Sequence, residues 1–251
     1  MAGVDVFLCF TDAVRDPDVL RRCEALLDPE ERGRHGRFLG REDRRLFLVS
    51  HALVRLVLSR YASMAPEAWR FRRGPHGRPE IDASDVGGLD FSLSHTRGLV
   101  AVAVAPRCAV GVDVEVVDPR RASIEIAQRF FAAPELATLA ALSGAERVGR
   151  FFDFWTLKES YIKARGAGLL SLPLDKFWFR FLPARALMLE IDPLIDDRPE
   201  HWSFALYGVG TAHRIACAAS RATADVSPPR LYEISPFGPD HAATVALLAS
   251  T

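Results

Sequence analysis

Two carboxylates alternate with apolar residues in one short stretch of the chain, residues 111–115 (Gly-Val-Asp-Val-Glu). In a strand, successive side chains point to opposite faces, so Asp113 and Glu115 would project together while the valines project the other way. A solvated polar face is the ordinary explanation of such a pair. Neighbouring carboxylates in an otherwise apolar run repel each other, however, unless a cation or a proton compensates them. The spacing therefore predicts a cation site.

A second set of charged residues lies on a predicted helix over residues 151–165, where Glu159 and Lys163 are one turn apart and share a face with Trp155. Such a pair can be a surface ion pair that stabilises its helix by roughly 0.2–0.5 kcal/mol. The apolar residues around it indicate a largely buried helix, where an acid and a lysine are more often functional. Three carboxylates could then form one site, and hard oxygen ligands suit Mg²⁺, which completes its shell with water and substrate phosphates.

Basic residues are concentrated between Asp28 and a long helical pattern that ends near Tyr61. They are Arg32, Arg34, Arg37, Arg41, Arg44 and Arg45. A solvated basic face and a site for a multiply phosphorylated ligand are equally compatible with this charge, because arginine binds phosphate oxygens through a fixed fork of donors. Arg78, in a Gly-Arg-Pro loop, could add a phosphate contact. His95 could donate to a phosphate or serve as a structural hydrogen-bonding residue.

Composition limits the class of protein. The chain has 251 residues, of which 49% are hydrophobic, enough for one large domain or two small ones. Its 32 basic and 32 acidic residues give a formal net charge of zero, which argues against a generic nucleic-acid binder. The N-terminus is typical of a first strand and not of a signal peptide, and no apolar run could span a bilayer. With four scattered cysteines, we expect a soluble cytoplasmic protein with reduced thiols.

The order of predicted elements suggests two similar halves, residues 1–109 and 110–251. The first half contains the basic turn, the long helix, a strand near Trp69 and strands over residues 89–95 and 98–105. The second half contains the acidic strand, the 151–165 helix and further strands. These strands are predicted at Phe177–Phe181, Leu187–Ile191, Trp202–Tyr207 and Ile215–Ala219. We predict an α+β fold with a pseudo-two-fold relation, in which each half is a long helix packed on a small antiparallel sheet.

Ligand sites favour the interface between such halves, and the predicted boundary lies just before the acidic strand. Beyond Ala222 several prolines predict an irregular segment, followed by a short helix over Ala242–Leu248.

Four segments, in their order and separation, resemble the surfactin-type 4′-phosphopantetheinyl transferases. They are Gly77-Arg78-Pro79, residues 91–95 (Phe-Ser-Leu-Ser-His), residues 111–115 and Phe151 to Gly168. The similarity extends from about Asp28 to Phe181. It implies a pseudo-dimeric monomer that uses magnesium, with manganese as an alternative, to move the phosphopantetheine arm of coenzyme A onto a serine of a carrier protein. Acyl or peptidyl carrier proteins of polyketide, nonribosomal-peptide or fatty-acid synthesis would be the partners.

The resemblance also assigns roles to individual residues. Asp113, Glu115 and Glu159 would hold the metal against the coenzyme pyrophosphate, and Glu159 would be the base for the carrier serine unless a metal-bound water relays the proton. Lys163 would stabilise the pyrophosphate and the departing adenosine bisphosphate, with Lys158 assisting from the same helix. Asp113, Glu159 and Lys163 would thus be the catalytic residues.

Further basic and polar residues would contact the coenzyme. This set comprises Arg34, Arg37, Arg45, Arg78, Ser94, His95, Lys158 and Lys163. Arg34 stands where the family has a basic residue for the 3′-phosphate, whereas Glu31 stands where some members have a second one. Arg32, Arg37 and Arg45 are the candidates to replace it.

The segment after the acidic strand would dock the carrier protein, since it combines basic and apolar residues that suit an acidic recognition helix. Its predicted contacts are Arg120, Arg121, Ile124 and Phe130. Glu135 is a further candidate for the site. Two other hypotheses stay open: a phosphohydrolase that cleaves coenzyme A at its pyrophosphate with water, and a carrier-binding module whose acidic site is only structural.

Overall fold

The computed structural model describes residues 3–74, 76–82, 86–167, 172–221 and 228–251. Gly168, the last residue of the predicted catalytic motif, and the start of the tail at 222–227 lie outside the described residues.

Within its described residues, the first half of the chain forms five strands and three α-helices. They are β1 Asp5–Phe10, α1 Pro17–Leu26, α2 Pro29–Arg37, α3 Arg41–Leu58, β2 Phe71–Arg73, β3 Pro79–Ile81, β4 Leu89–Thr96 and β5 Leu99–Pro106. The described part of the second half forms eight strands and three α-helices. They are β6 Val110–Val116, α4 Ile124–Phe130, α5 Ala133–Ala140, α6 Gly144–Ala164, β7 Phe177–Phe181, β8 Leu187–Ile191, β9 Trp202–Val209, β10 His213–Ser220, β11 Arg230–Ile234, β12 Asp240–Ala242 and β13 Ala246–Ser250.

Two main sheets lie face to face between two long helices. The first has the strand order β12-β11-β1-β5-β4, the second β13-β9-β10-β6, and β2-β3 and β7-β8 form separate hairpins. One face of each sheet contributes to a shared core, where Val6 and Ala101 pack with Val112 and Ile215. The outer faces are covered by α3 and by α6 respectively, each through its apolar side. The fold is α+β, as predicted.

The basic turn at the start of the first half is itself a helix. Asp28 and Glu31 form a capping box at the N-terminus of α2, where Pro29 occupies the first helical position. The helix ends at Arg37, and α3 begins afresh after Gly40. The helix predicted over residues 151–165 is longer than predicted, because α6 begins at Gly144 and not at Phe151.

The prediction of a helix over Ala242–Leu248 is wrong, because the C-terminal tail forms strands. β11 pairs in parallel with β1, and β13 pairs antiparallel with β9, so the tail contributes strands to both main sheets. Alanine and leucine favour helices. The outer edges of β1 and β9, however, would otherwise have unpaired backbone groups, and hydrogen bonds to these groups outweigh the helix preference of the tail. Residues 230–242 therefore lie in the sheet of the first half.

No helix in the described part of the chain combines the length and the hydrophobicity needed to cross a lipid bilayer.

Candidate active site

The two sheets meet where their edge strands β4 and β6 run side by side. Three side-chain oxygens at alternate positions of β4 accept hydrogen bonds from three backbone N–H groups at alternate positions of β6. The pairs are Asp90 with Val110 (2.9 Å), Ser92 with Val112 (3.0 Å) and Ser94 with Val114 (3.3 Å). This side-chain ladder, formed by Asp90, Ser92 and Ser94, fixes the register of β6 against β4 without a backbone ladder.

Gly111 lets β6 lie unusually close to α6. A β-carbon placed on Gly111 would stand 2.0 Å from the carbonyl oxygen of Ser160 and 2.4 Å from the backbone nitrogen of Ala164. Gly111 shares its face of the strand with Asp113, so the acidic face of β6 lies against the end of the helix that carries Lys163.

Lys163, Asp113 and Ser94 make direct contact across this junction. The Lys163 Nζ donates to Asp113 Oδ1 at 2.7 Å and to Ser94 Oγ at 2.9 Å, and the Ser94 hydroxyl also donates to Asp113 Oδ1 at 2.9 Å. Asp113 is buried, and its second oxygen, Oδ2, is buried without a hydrogen-bond partner. An unpaired buried carboxylate oxygen is costly, so this atom is available to a ligand.

The other two predicted metal ligands, Glu115 and Glu159, lie near Asp113, and its charge raises the pKa of each. Burial, the charge of Asp113 and the charge of Glu115 raise the pKa of Glu159 to about 7, although Lys163 opposes them. Burial and Asp113 raise the pKa of Glu115, against the opposing effect of Arg121, which donates to Glu115 Oε2 at 2.9 Å. Carboxylates that resist ionisation beside one another are a physical sign of a cation site.

The donor set fits a hard divalent cation in its chemistry. Across the described residues, no three His, Cys, Asp or Glu side chains are grouped as closely as they would be around a bound metal ion. Lys163 and Arg121 instead provide the positive charges that Asp113 and Glu115 contact. A bound cation would pair with the buried Asp113 Oδ2 and would offset the repulsion that raises the pKa values of Glu115 and Glu159. Asp113, Glu115 and Glu159 are the residues that could hold it.

A cleft of about 240 Å³ opens beside this group, and its lining includes Glu159, Lys163, Arg78 and Phe91. His95 follows Ser94 on β4, so its side chain leaves the opposite face of the strand, where it is exposed. Ser94 itself is buried and contacts Asp113 and Lys163 within the protein.

The arginines predicted to contact the coenzyme phosphates differ in their exposure and in their contacts with other side chains. Arg37 is exposed at the end of α2, and Arg34 lies over the Phe47 ring, 5.2 Å from its centroid. Arg45 donates to Asp12 at 2.7 Å. Glu31 stands where some members of the resembled family have a basic residue; it is buried and contacts His51 and Arg55 of α3.

The prediction that Lys158 contacts the coenzyme is contradicted by its burial. Its side chain is fully buried, its Nζ lies 2.8 Å from Glu135, and it also donates to the carbonyls of Leu174 and Phe177. Glu135 is also fully buried and accepts from the backbone N–H groups of Ala132 and Phe179. Lys158 and Glu135 are therefore a core ion pair that ties α5 and α6 to β7, and neither reaches the cleft.

The predicted docking segment combines exposed charge with apolar surface. Arg120 is 82% exposed and pairs with Asp118, while Arg121 pairs with Glu115. Ile124, at the start of α4, is 47% exposed. Phe130 is partly buried edge-on against Trp155, 5.7 Å between ring centroids.

Sequence reasoning missed the structural use of Asp90, Ser92 and Gly111. The alternation of polar residues at positions 90, 92 and 94 was the available signal, because residues two apart share one face of a strand. The close approach at Gly111 has no comparable signal in one sequence, since it depends on which helix packs on the strand.

Comparison with known families identifies two adjoining matches. Residues 109–219 match the model of the 4′-phosphopantetheinyl transferase superfamily. Residues 17–107 match the model of the 4′-phosphopantetheinyl transferase N-terminal region.

Similar proteins carry the same description. The chain is 36% identical to the 4′-phosphopantetheinyl transferase Sfp of Bacillus subtilis over 63% of this chain and 68% of Sfp. It is 31% identical to the 4′-phosphopantetheinyl transferase Ffp of Bacillus subtilis, over 80% of this chain and 85% of Ffp. The 4′-phosphopantetheinyl transferase HetI of a Nostoc species is 33% identical over 61% of this chain, but only 65% of the length of HetI is covered.

Among solved structures, a holo-(acyl-carrier-protein) synthase from Bacillus anthracis in complex with CoA (3′,5′-ADP) aligns over 46% of this chain and 98% of its own. The identity is 15% and the TM-score 0.40.

Proposed function

This chain belongs to the 4′-phosphopantetheinyl transferase family, and from that premise we propose that it transfers the phosphopantetheine arm of coenzyme A to a serine of an apo carrier protein. The serine oxygen forms a bond to the β-phosphorus, the one that carries the pantetheine arm. The bond from that phosphorus to the bridging pyrophosphate oxygen breaks, and adenosine 3′,5′-bisphosphate leaves. The observation that carries the proposal is the contact of Lys163 with Asp113, whose second oxygen is buried and unpaired.

Mg²⁺, or Mn²⁺ in its place, would be held by Asp113, Glu115 and Glu159 and would supply charge neutralisation to the pyrophosphate. In the free protein, Lys163 and Arg121 offset part of the negative charge of this group. Displacement at phosphorus needs positioning and charge stabilisation above all, so few protein groups are required.

Glu159 is the proposed base for the carrier serine. In the metal-free protein its pKa of about 7 leaves it partly ionised near neutral pH, and a bound cation would favour the ionised form that accepts a proton. Lys163, one helical turn away, would donate to the phosphate oxygens of the coenzyme and stabilise the leaving bisphosphate. Both side chains line the same cleft.

The coenzyme phosphates would be contacted by basic groups of the first half, principally the partly exposed Arg34 and the exposed Arg37 and His95. Arg45 and Ser94 are weaker candidates because each contacts other protein groups. We further propose that residues 1–109 and 110–220 are halves with a pseudo-two-fold relation, which the repeated order of strand, helices, hairpin and two strands supports, while β11 and β12 of the tail return to the sheet of the first half. The monomeric state and the cytoplasmic location stay predictions.

The carrier protein would dock on the segment after β6. Ile124 offers exposed apolar surface there, and Phe130 lies beside Trp155 on the catalytic helix. Arg120 and Arg121 would contact acidic side chains of the partner, because charge complementarity orients such encounters.

Mass spectrometry of an apo carrier protein incubated with the chain, coenzyme A and Mg²⁺ tests the proposal. We expect the carrier to gain the mass of one phosphopantetheine, and Asp113→Ala and Glu159→Gln each to lose nearly all of this transfer while remaining folded. Glu190→Gln, which alters a partly exposed acid paired with Arg180, is the matched control. No added mass on several carriers would contradict the proposal, and release of adenosine bisphosphate without any carrier would favour the phosphohydrolase.

A further inference from the structure

Arg78 uses its guanidinium to join four parts of the protein around the cleft. Its Nη1 donates to the backbone carbonyl of Lys163 at 2.9 Å, and its Nη2 donates to Asp90 Oδ1 at 2.8 Å. The same Nη2 contacts the carbonyl oxygens of Phe91 and Val110. The loop before β3, the edge strand β4, the start of β6 and the last turn of α6 therefore meet at one side chain.

Asp90 completes this junction from the other side. While its Oδ1 accepts from Arg78, its Oδ2 accepts from the backbone N–H of Val110 at 2.9 Å. Asp90 is also the first member of the side-chain ladder that sets the register of β6 against β4. One carboxylate thus links the placement of Arg78 to the placement of the acidic strand.

The last turn of α6 is the element that this junction holds. The carbonyl groups at a helix C-terminus have a partial negative charge, so a guanidinium is favourable there, even though the Lys163 carbonyl also accepts from the Gly166 N–H at 3.1 Å. The carbonyl that Arg78 contacts belongs to Lys163, whose ammonium group lies 2.7 Å from Asp113. Small shifts of this turn would move the ammonium group relative to both the acidic strand and the cleft.

We propose that Arg78 and Asp90 are positioning residues for the transfer reaction, which set where Lys163 stands relative to Asp113. This inference rests on the proposed function. It differs from a direct phosphate contact by Arg78, because the donors of the guanidinium are directed at protein oxygens. A positioning error of about 1 Å can cost roughly a hundredfold in rate, so the effect would be seen in turnover.

Asp90→Asn separates the two roles of Arg78. The amide has one acceptor and one donor group in place of two acceptors, so either Arg78 or the Val110 N–H would face a donor and lose its partner. If Arg78 positions Lys163, this variant lowers kcat. If Arg78 instead binds a coenzyme phosphate, loss of the competing carboxylate frees the guanidinium and lowers KM for coenzyme A.

The experiment compares wild type, Asp90→Asn, Arg78→Lys and the double variant in steady-state transfer to an apo carrier protein. We expect each single variant to lose about tenfold or more in kcat, with less than a twofold change in KM for coenzyme A. The double variant should lose little more, because both changes break one junction. Arg78→Lys should lose turnover although it keeps the positive charge, since a single ammonium group cannot reach four acceptors on three elements.

Glu80→Gln is the matched control, because Glu80 pairs with Arg72 on the neighbouring β2-β3 hairpin and makes no part of the junction. Calorimetric titration of coenzyme A measures binding without turnover, and melting curves ensure that each variant is folded at the assay temperature. Unchanged kcat in Asp90→Asn, or a lower KM with tighter coenzyme binding, would overturn the positioning role while leaving the transferase proposal intact. An inactive wild-type chain would instead overturn both.

Discussion

Gly111 on β6 lies against Ser160 on α6 with no room for a side chain. A β-carbon at Gly111 would stand 2.0 Å from the Ser160 carbonyl oxygen, which belongs to helix backbone and cannot rotate away. The contact brings the strand that carries Asp113 against the helix that carries Lys163.

Gly111→Ala should therefore separate strand and helix. Overpacking of a close contact costs roughly 1–3 kcal/mol, and relief of this one requires the backbone to shift. We expect the free energy of unfolding to fall by at least about that amount and transfer activity to fall tenfold or more. Denaturant titration and the carrier mass assay measure the two effects.

Gly33→Ala is the control for Gly111→Ala, because no atom lies within 4 Å of a β-carbon at that helical position. It should stabilise the protein by roughly 0.5–1 kcal/mol through the helix preference of alanine. Wild-type stability in Gly111→Ala would show that β6 and α6 can separate without cost.

Lys158→Met should destabilise the protein, because it leaves the fully buried Glu135 carboxylate without its cation. Removing one partner of a buried pair costs about 3–5 kcal/mol. The double variant Glu135→Gln with Lys158→Met should recover part of this loss, since no uncompensated charge is left. Denaturant titration of wild type and the two variants checks this, and a Lys158→Met protein of normal stability with a raised KM for coenzyme A would restore the coenzyme role to Lys158.

Lys158 and Lys163 lie on the same helix, but the sequence alone predicts the position of only one of them correctly. Helical spacing correctly groups Glu159, Lys163 and Trp155, because these positions lie one turn apart on a single face. Lys158 is adjacent to Glu159 in sequence but lies about 100° around the helix. Its side chain is buried because α5 and β7 pack on that face of the helix.

The same limit applies to the tail and to the serines of β4. Residues 246–250 have the composition of a helix, yet the open edge of β9 makes them a strand, and this depends on partners far away in sequence. Ser94 was predicted as a phosphate contact from the resemblance alone. Its buried place in the side-chain ladder follows from the meeting of two sheet edges, which no local pattern specifies.

Glu31→Gln should reduce stability near neutral pH and lose this effect in acid. Burial alone would raise the Glu31 pKa, but the hydrogen bonds from His51 and the Asp28 backbone, together with Arg55, lower it from 4.5 to about 2. The ionised form thus stabilises the fold above pH 4.5, and that contribution disappears as the pH falls towards 2. Unfolding measured across this range should show wild type and variant converging. Glu30→Gln, which alters an exposed neighbour, is the matched control.

Glu159→Gln should have the opposite pH dependence. Because the Glu159 pKa rises from 4.5 to about 7 in the folded protein, ionisation of this carboxyl destabilises the fold, and the penalty grows between those two pH values. The glutamine variant avoids the penalty, so its stability relative to wild type should increase from pH 4.5 to 7 and stay constant above. Melting temperatures across the pH series, with and without Mg²⁺, measure this difference.

Mg²⁺ should stabilise wild type more at pH 8 than at pH 6, because a bound cation requires ionised Glu159 and compensates its charge. Glu159→Gln should lose most of this Mg²⁺-dependent increase in melting temperature, whereas Glu190→Gln should retain it. An equal response of wild type and Glu159→Gln to Mg²⁺ would remove Glu159 from the metal site. The base role would then have to be tested separately, through the pH dependence of kcat.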